Sequence, residues 1–405
     1  MSGPDRSASR VSQVIVTVSG PDRPGITARL TGILVEMGAV LIDIEQVVVR
    51  EHLSLGMLIG IADDRGVLKE LLFAAKELGL TLDFQAVVDP HAKPARTQRY
   101  VVTAIGKSLG ATEMHALSAV LAEYRANIAR ISRLSHGALG SVEVHVDLTE
   151  GDDPVPLKEG LLRLGTSGSF DIALQREGIF RRSKRLVVMD MDSTLISIEV
   201  IDELARAHGV SAQVAEVTEL AMAGDMDYDE ALRRRLALLQ GLDVGVLRRL
   251  AAELPLSEGA ERLIRALKRL GYRTAVISGG FSIAAEALKA QLGIDYAYSN
   301  TLEIEDGKLT GRVIGPIVNA KRKAELLETI AQSEGVLLDQ VIAVGDGAND
   351  LLMLEKAGLG IAFRAKPKVR AAADLAIAAG GLDSILYLLG LSAREVDEVL
   401  ALPGS

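Results

Sequence analysis

Arg185-Leu-Val-Val-Met-Asp-Met-Asp-Ser-Thr-Leu-Ile196 is the stretch that decides the fold. Leu186 to Met189 form a short apolar run, the pattern of a strand buried on both faces of a parallel sheet, and the run stops at Asp190 and Asp192. In open α/β sheets the crevice beyond the carboxyl ends of the strands is where ligands bind, so an acidic pair there points to a metal or a nucleophile. The plain alternative is an ordinary Asp-rich turn. Two downstream stretches argue against it by repeating the pattern with complementary chemistry.

The first is Arg273-Thr-Ala-Val-Ile277, a second strand that ends in Ser278-Gly-Gly-Phe281. A hydroxyl and two glycines at a strand-to-helix turn leave backbone N–H groups free to nest phosphate oxygens. The second is Val341-Ile-Ala-Val344, followed by Gly345-Asp-Gly-Ala-Asn-Asp350, whose carboxylates suit a hard cation. An EF-hand does not fit, because the stretch follows an apolar strand and lacks the bidentate Glu closing a twelve-residue loop. Between these strands Asn319-Ala-Lys321 opens a helix over Lys323 to Gln332, which would aim the Lys321 ammonium into the crevice. Residues 199–255 carry helical spacing only, so a small helical subdomain is inserted after the first strand, where it can act as a lid.

One crevice is therefore expected to gather Asp190, Asp192, Ser278, Lys321, Asp346 and Asp350. So many carboxylates would repel a phosphate dianion unless a divalent cation and a lysine offset them, which brings Mg²⁺ into the reading. One Asp oxygen could then attack phosphorus while a second Asp serves as acid and base.

Asp190-Met-Asp-Ser-Thr-Leu195, Ser278-Gly-Gly280, Lys321 and Gly345-Asp-Gly-Ala-Asn-Asp350 resemble the four ordered motifs of the haloacid-dehalogenase-like phosphohydrolases, over about residues 185–390. The resemblance implies a Rossmann-like parallel sheet, Asp190 as the nucleophile that becomes aspartyl-phosphate, and Asp192 as acid/base. It implies Mg²⁺ held by Asp190, Asp346 and the backbone carbonyl of Asp192. Ser278, Gly279, Lys321 and Asn349 would hold phosphate, and Asp350 would orient the metal shell or Lys321. Within the family, Met222, Gly224, Tyr228, Leu232 and Arg235 match a substrate-selecting pattern of the cap and single out Arg235 from Arg233-Arg-Arg235. Glu199 pairing an ammonium and Arg235 pairing a carboxylate would describe phosphoserine as the substrate. Their plain alternatives are a first-turn charge and a solvated face. The enzymatic rivals are another phosphomonoesterase or phosphotransferase of this fold. A P-type ATPase pattern would place Lys where Asp192 stands, and it would need membrane spans. From another class, the chain could be an amino-acid-responsive regulator with a vestigial catalytic half.

Upstream, residues 11 to about 175 contain a diverged repeat. Val14-Ile-Val-Thr17 matches Tyr100-Val-Val-Thr103, Leu30–Glu36 matches Leu117–Glu123, and Leu55–Leu58 matches Leu139–Val142. Each copy reads strand, helix, strand, strand, helix, strand, a βαββαβ ferredoxin-like module at 11–88 and again at 99–175. Asp89 to Gln98, with two Pro, reads as the linker between them, and Arg181-Arg-Ser-Lys-Arg185 as a solvated linker to the last domain, 185–390. Asp22-Arg-Pro-Gly-Ile26 opening such a module resembles an ACT domain, a family that generally senses amino acids, often across a dimer interface. That implies a regulatory ligand, serine, near Gly20, Asp22 and Gly25, and by analogy a homodimer. The competing reading of this loop is a helix-capping turn containing Asp22. Copy two departs from the signature, its matching loop being Gly106-Lys-Ser-Leu-Gly-Ala111.

Composition bounds the partners. With 405 residues and 48% apolar side chains, the chain supports two or three cored domains. A net charge of −9, 3% aromatics and no Trp give neither the basic footprint nor the stacking platforms of a nucleic-acid binder. No run approaches the length of a spanning helix, and the absence of Cys and of a signal-peptide core suggests the cytosol.

Overall fold

The computed structural model describes residues 12–402 apart from 63–65, 88–96, 108, 137–138 and 169. The chain divides into two compact units, Met1–Ala95 and Arg96–Ser405. The first runs β1 (Ser12–Pro21), α1 (Ile26–Glu36), β2 (Val40–Val49), β3 (His52–Ile61), α2 (Gly66–Glu77) and β4 (Thr81–Ala86). Its four strands lie in the order β2-β3-β1-β4, all pairs antiparallel. Val14, Val16 and Val18 alternate onto one face of β1, where they pack with Leu30 and Ile33 of α1 and Leu71 of α2. The period of two in the strand and the helical stripe meet in one core.

The second unit begins with the same series: β5 (Thr97–Gly106), α3 (Ala111–Glu123), β6 (Asn127–His136), β7 (Gly140–Thr149), α4 (Val155–Ser167) and β8 (Phe170–Arg176), ordered β6-β7-β5-β8. The repeat read from sequence is thus a repeat of topology. Of the expected inter-copy linker, residues 89–96 lie outside the described residues, and Thr97 and Gln98 already belong to β5.

After α5 (Ile179–Arg182) comes β9 (Leu186–Met189), then four cap helices: α6 (Val200–His208), α7 (Ser211–Ala223), α8 (Tyr228–Leu238) and α9 (Val244–Ala252). The chain returns through α10 (Ala260–Arg269), β10 (Arg273–Phe281), α11 (Ser282–Leu292), the hairpin β11 (Tyr296–Glu305) and β12 (Lys308–Ile314), then α12 (Ala320–Ser333). It closes with β13 (Val341–Gly345), α13 (Leu351–Lys356), β14 (Leu359–Phe363), α14 (Pro367–Ala372), β15 (Leu375–Ile377), α15 (Ile385–Leu388) and α16 (Ala393–Ala401). Strands β10, β9, β13, β14 and β15 are parallel, and β9 lies between β10 and β13. No helix among the described residues is long and apolar enough to cross a membrane.

Copy two and the C-terminal half share a sheet, which the reading of separate modules does not anticipate. The strand order continues β14-β15-β8-β5, through a single antiparallel bridge, Leu375 to Ala173. Asp171 of β8 reinforces it by accepting the Ala378 and Ala379 amides at 2.9 and 2.8 Å. The connecting segment is likewise no solvated linker. Arg181 is buried in an ion pair with Glu143 of β7, and buried Lys184 donates to the Asp339 carbonyl at 2.6 Å. Burial lowers the Lys184 pKa to about 8. These partners lie 38 and 155 residues away along the chain, so the local run of charge could not reveal them.

Candidate active site

Leu186 to Met189 are fully buried, and Met189 stands level with Val276 of β10 and Val344 of β13. The ladders that β9 makes with β10 and β13 therefore stop at one level, and the chain beyond each meets in one crevice. The Asp190 amide donates to the Val344 carbonyl at 2.9 Å, which places its side chain at the strand mouth. From there Met191–Leu195 make an irregular turn, with Ser193 in the left-handed region at φ 56°. That turn sends Asp192 to the cap side: its Oδ1 accepts from the Val200 amide at 2.8 Å and its Oδ2 from the Ser278 hydroxyl at 3.3 Å. The β10–β11 register shifts between Ile277 and Phe281, and this irregularity turns Ser278 and its two glycines toward the crevice. Gly280 has to lack a side chain, because a Cβ there would collide with Asp192 Oδ2 and the Met191 methyl.

The lysine of the site is Lys323, and the expectation for Lys321 is corrected. Lys323 is wholly buried, with Nζ 2.8 Å from Asp190 Oδ1 and 2.6 Å from Asp350 Oδ1. The Lys321 side chain is 83% exposed and lies 3.9 Å from Glu325 on the outer face of α12. The helix starts three residues earlier than expected: Asn319 is its N-cap, accepting the Arg322 amide at 3.1 Å. Two residues along a helix is a rotation of about 200°, enough to swing one lysine out and the other in.

Asp346 follows β13 and accepts the Thr194 hydroxyl at 3.0 Å. Oxygens of Asp190, Asp346 and Asp350 lie within 4.8 Å of one another, an all-oxygen cluster suited to a hard cation. Asp350 is the most committed of the three, since its Oδ1 takes the lysine and its Oδ2 the Gly347 amide at 3.0 Å. Asn349 sits half-buried in the same loop, its Oδ1 folded over Gly347. Gly279 is half-buried beside Ser278.

The charges show what the crevice lacks. Burial, then the Asp350 charge, pushes the Asp190 carboxyl well above the usual range, with Lys323 opposing. Burial and Glu199 raise Asp192 to about 7, and burial and Asp350 raise Asp346 to about 6. Burial would strip Lys323 of its proton, but Asp190 and Asp350 reverse that and hold it ionised. Among the described residues, Asp190, Asp192, Glu199, Asp346 and Asp350 thus face two cations, Lys323 and Arg235, and the excess of negative charge fits a bound metal ion.

Over the crevice lies the cap. Glu199 accepts the Ser193 hydroxyl at 2.7 Å, and its pKa is raised by burial, with Ser193 and Arg235 acting against the rise. Arg233 and Arg234 are exposed, whereas Arg235 turns inward with its Nε buried and unpartnered. Tyr228 also belongs here: its hydroxyl crowds Gly279, and burial pushes its pKa up to about 12. Reading by pattern misses Thr194 and Lys323, and takes Tyr228 only as a spacing mark.

In the first unit, Asp22 and Gly25 line a cavity of about 290 Å³ with Arg23, Thr27 and Gln46. Gly25 is the N-cap of α1 at φ 95°, and no side chain caps the helix, so Asp22 is not spent on capping. Gly20 is buried at the end of β1, opposite Leu53. Gly106, expected in the equivalent loop of copy two, is instead a buried strand residue paired with both Gly140 and Phe170. Its backbone is used by the sheet.

Strand ends of this kind, under a helical cap, define a hydrolase class. A family model described as haloacid dehalogenase-like hydrolase matches residues 184–358, and two ACT domain models match 12–85 and 98–175. The chain is 45% identical to a phosphoserine phosphatase of Streptomyces coelicolor over 96% of both chains. It is 40% identical to phosphoserine phosphatase SerB2 of Mycobacterium tuberculosis, over 95% of this chain and 94% of that one. Among solved structures, a haloacid dehalogenase family hydrolase of Salmonella enterica is similar at 32% identity and a TM-score of 0.65, covering 72% of this chain and 98% of that one. The chain belongs to the haloacid dehalogenase-like hydrolases, in their phosphoserine phosphatase family with two N-terminal ACT domains.

Proposed function

We propose that the chain hydrolyses O-phospho-L-serine to L-serine and phosphate, the closing step of serine synthesis, through an aspartyl-phosphate on Asp190. The observation that carries this reading is Asp190, held at the strand mouth by Lys323 and the Met191 amide, both on Oδ1. Its Oδ2 is left for phosphorus. Attack by that oxygen breaks the bond from phosphorus to the serine oxygen, and Asp192 gives its proton to the leaving alkoxide. Asp192 then takes a proton from water as the water attacks phosphorus, and the bond to Asp190 breaks. A pKa of about 7 suits a group that must both give and accept. Ser278, Gly279, Asn349 and Lys323 hold the phosphate, with Asp350 steadying Lys323. Asp190, Asp346 and the Asp192 carbonyl would hold Mg²⁺, which supplies charge neutralisation and polarisation of the phosphoryl group.

Glu199 and Arg235 read the amino-acid end of the substrate. An inward guanidinium with an unpartnered Nε suits a carboxylate. Arg235→Ala should raise KM for phosphoserine by about 10- to 100-fold while changing an aryl phosphate by less than about threefold. An equal effect on both refutes the substrate assignment. The loop of copy one is the regulatory site in this reading, with serine as its ligand, and the ACT domains support association of the chain with a second copy. The decisive experiment is phosphate release from a panel of phosphomonoesters, with Mg²⁺, after chelation, and with added serine. Phosphoserine should lead the panel by at least about tenfold, and chelation should abolish turnover until Mg²⁺ is restored.

A further inference from the structure

Asn300 is a buried side-chain amide beside the crevice whose hydrogen bonds run to backbone groups, those of Gly279 and Val318. It lies on β11 with 2% of its surface exposed. Its Nδ2 donates to the Gly279 carbonyl at 2.8 Å, and its Oδ1 accepts from the Val318 amide at 2.8 Å. The first bond holds the phosphate loop at the point where the β10–β11 ladder is interrupted, since the register jumps between Ile277 and Phe281. The second holds the residue just before Asn319, the N-cap of the helix that carries Lys323. One amide thus bridges the Ser278–Gly279 loop and the start of the helix that carries Lys323.

We propose that Asn300 is a positioning residue that sets the spacing between the Ser278–Gly279 loop and Lys323, and so the geometry in which the phosphoryl group is held. The amide serves both contacts at once, because one needs a donor and the other an acceptor. A buried donor and acceptor left without partners would each force the backbone to shift. A shift of about 1 Å at a phosphate loop costs on the order of 100-fold in rate. The proposal rests on the phosphohydrolase reading, so the test uses whichever phosphomonoester the wild-type chain turns over fastest. A wrong substrate is then not mistaken for a wrong role.

Two variants carry the test. Asn300→Asp keeps shape and acceptor but removes the donor to Gly279, and Asn300→Ser removes the reach to both partners without adding charge. With full-length protein, kcat and inhibition by inorganic phosphate are measured beside thermal unfolding. The expected result is a roughly 10- to 100-fold fall in kcat and a matching weakening of phosphate inhibition in folded protein. Wild-type kcat and phosphate inhibition in a folded variant overturn the proposal. So does a lowered melting temperature with unchanged kinetics, or failure of both variants to fold, each of which makes Asn300 a packing residue only.

Discussion

Asp190→Asn should lose phosphoserine turnover by about a thousandfold or more while remaining folded. The substitution is nearly isosteric. It keeps an oxygen for the Met191 amide, now 2.7 Å away, but an amide oxygen is too weak a nucleophile to capture phosphorus. Stability should not suffer much, because burial and the Asp350 charge already oppose ionisation at this position. The sharper readout is chemical. Wild-type protein quenched during turnover of labelled phosphoserine should carry label, and the variant should carry none. Undiminished turnover, or equal labelling, would remove Asp190 as the nucleophile.

The second large effect is expected at Lys323, set against Lys321 as its control. Lys323→Met removes the cation that pairs with both Asp190 and Asp350, leaving two buried carboxylates face to face. Breaking a buried pair in this way costs about 3–5 kcal/mol, and with the pair wholly enclosed there is no solvent screening to discount. Turnover should fall by at least about a hundredfold, since charge stabilisation at the phosphoryl group is lost as well. The variant should regain stability as pH falls and one carboxylate takes a proton. Lys321→Ala, on the exposed face, should stay within about twofold in kcat/KM and melt within about 1 °C of wild type. The reverse ranking would restore Lys321 to the site.

That pair of lysines shows what the sequence discloses and what it hides. Asp190, Asp192, Ser278 and Asp346 are legible because each comes directly after a short apolar run of a strand buried on both faces, and such runs leave little choice about where they lead, although Ser278 itself still lies within β10. The lysine depends on helical phase instead. Lys323, Leu327 and Ile330 form the buried stripe of α12, whereas Lys321 and Glu325 form a surface pair one turn apart. Counting by 3.6 along that helix finds the right residue, since a lysine on an apolar stripe needs a partner inside. Arg181 and Lys184 read as solvated because Glu143 and Asp339 are distant in sequence. Gly106 is misplaced for a simpler reason: β5 runs farther than its apolar pattern, so a residue assigned to a loop is held between two strands.

The hydrogen-bonded seam of β15 with β8 has a practical corollary. Strand β15 contributes three residues, all buried, and its far side is covered by the preceding module. Trimming the protein back to its hydrolytic portion would bare that rim and leave Ala378 and Ala379 without the carboxylate that receives their amides. The second ACT domain and the hydrolytic portion of this polypeptide are thus not beads on a string: that domain is part of the wall that keeps the catalytic sheet from offering an adhesive border to its neighbours.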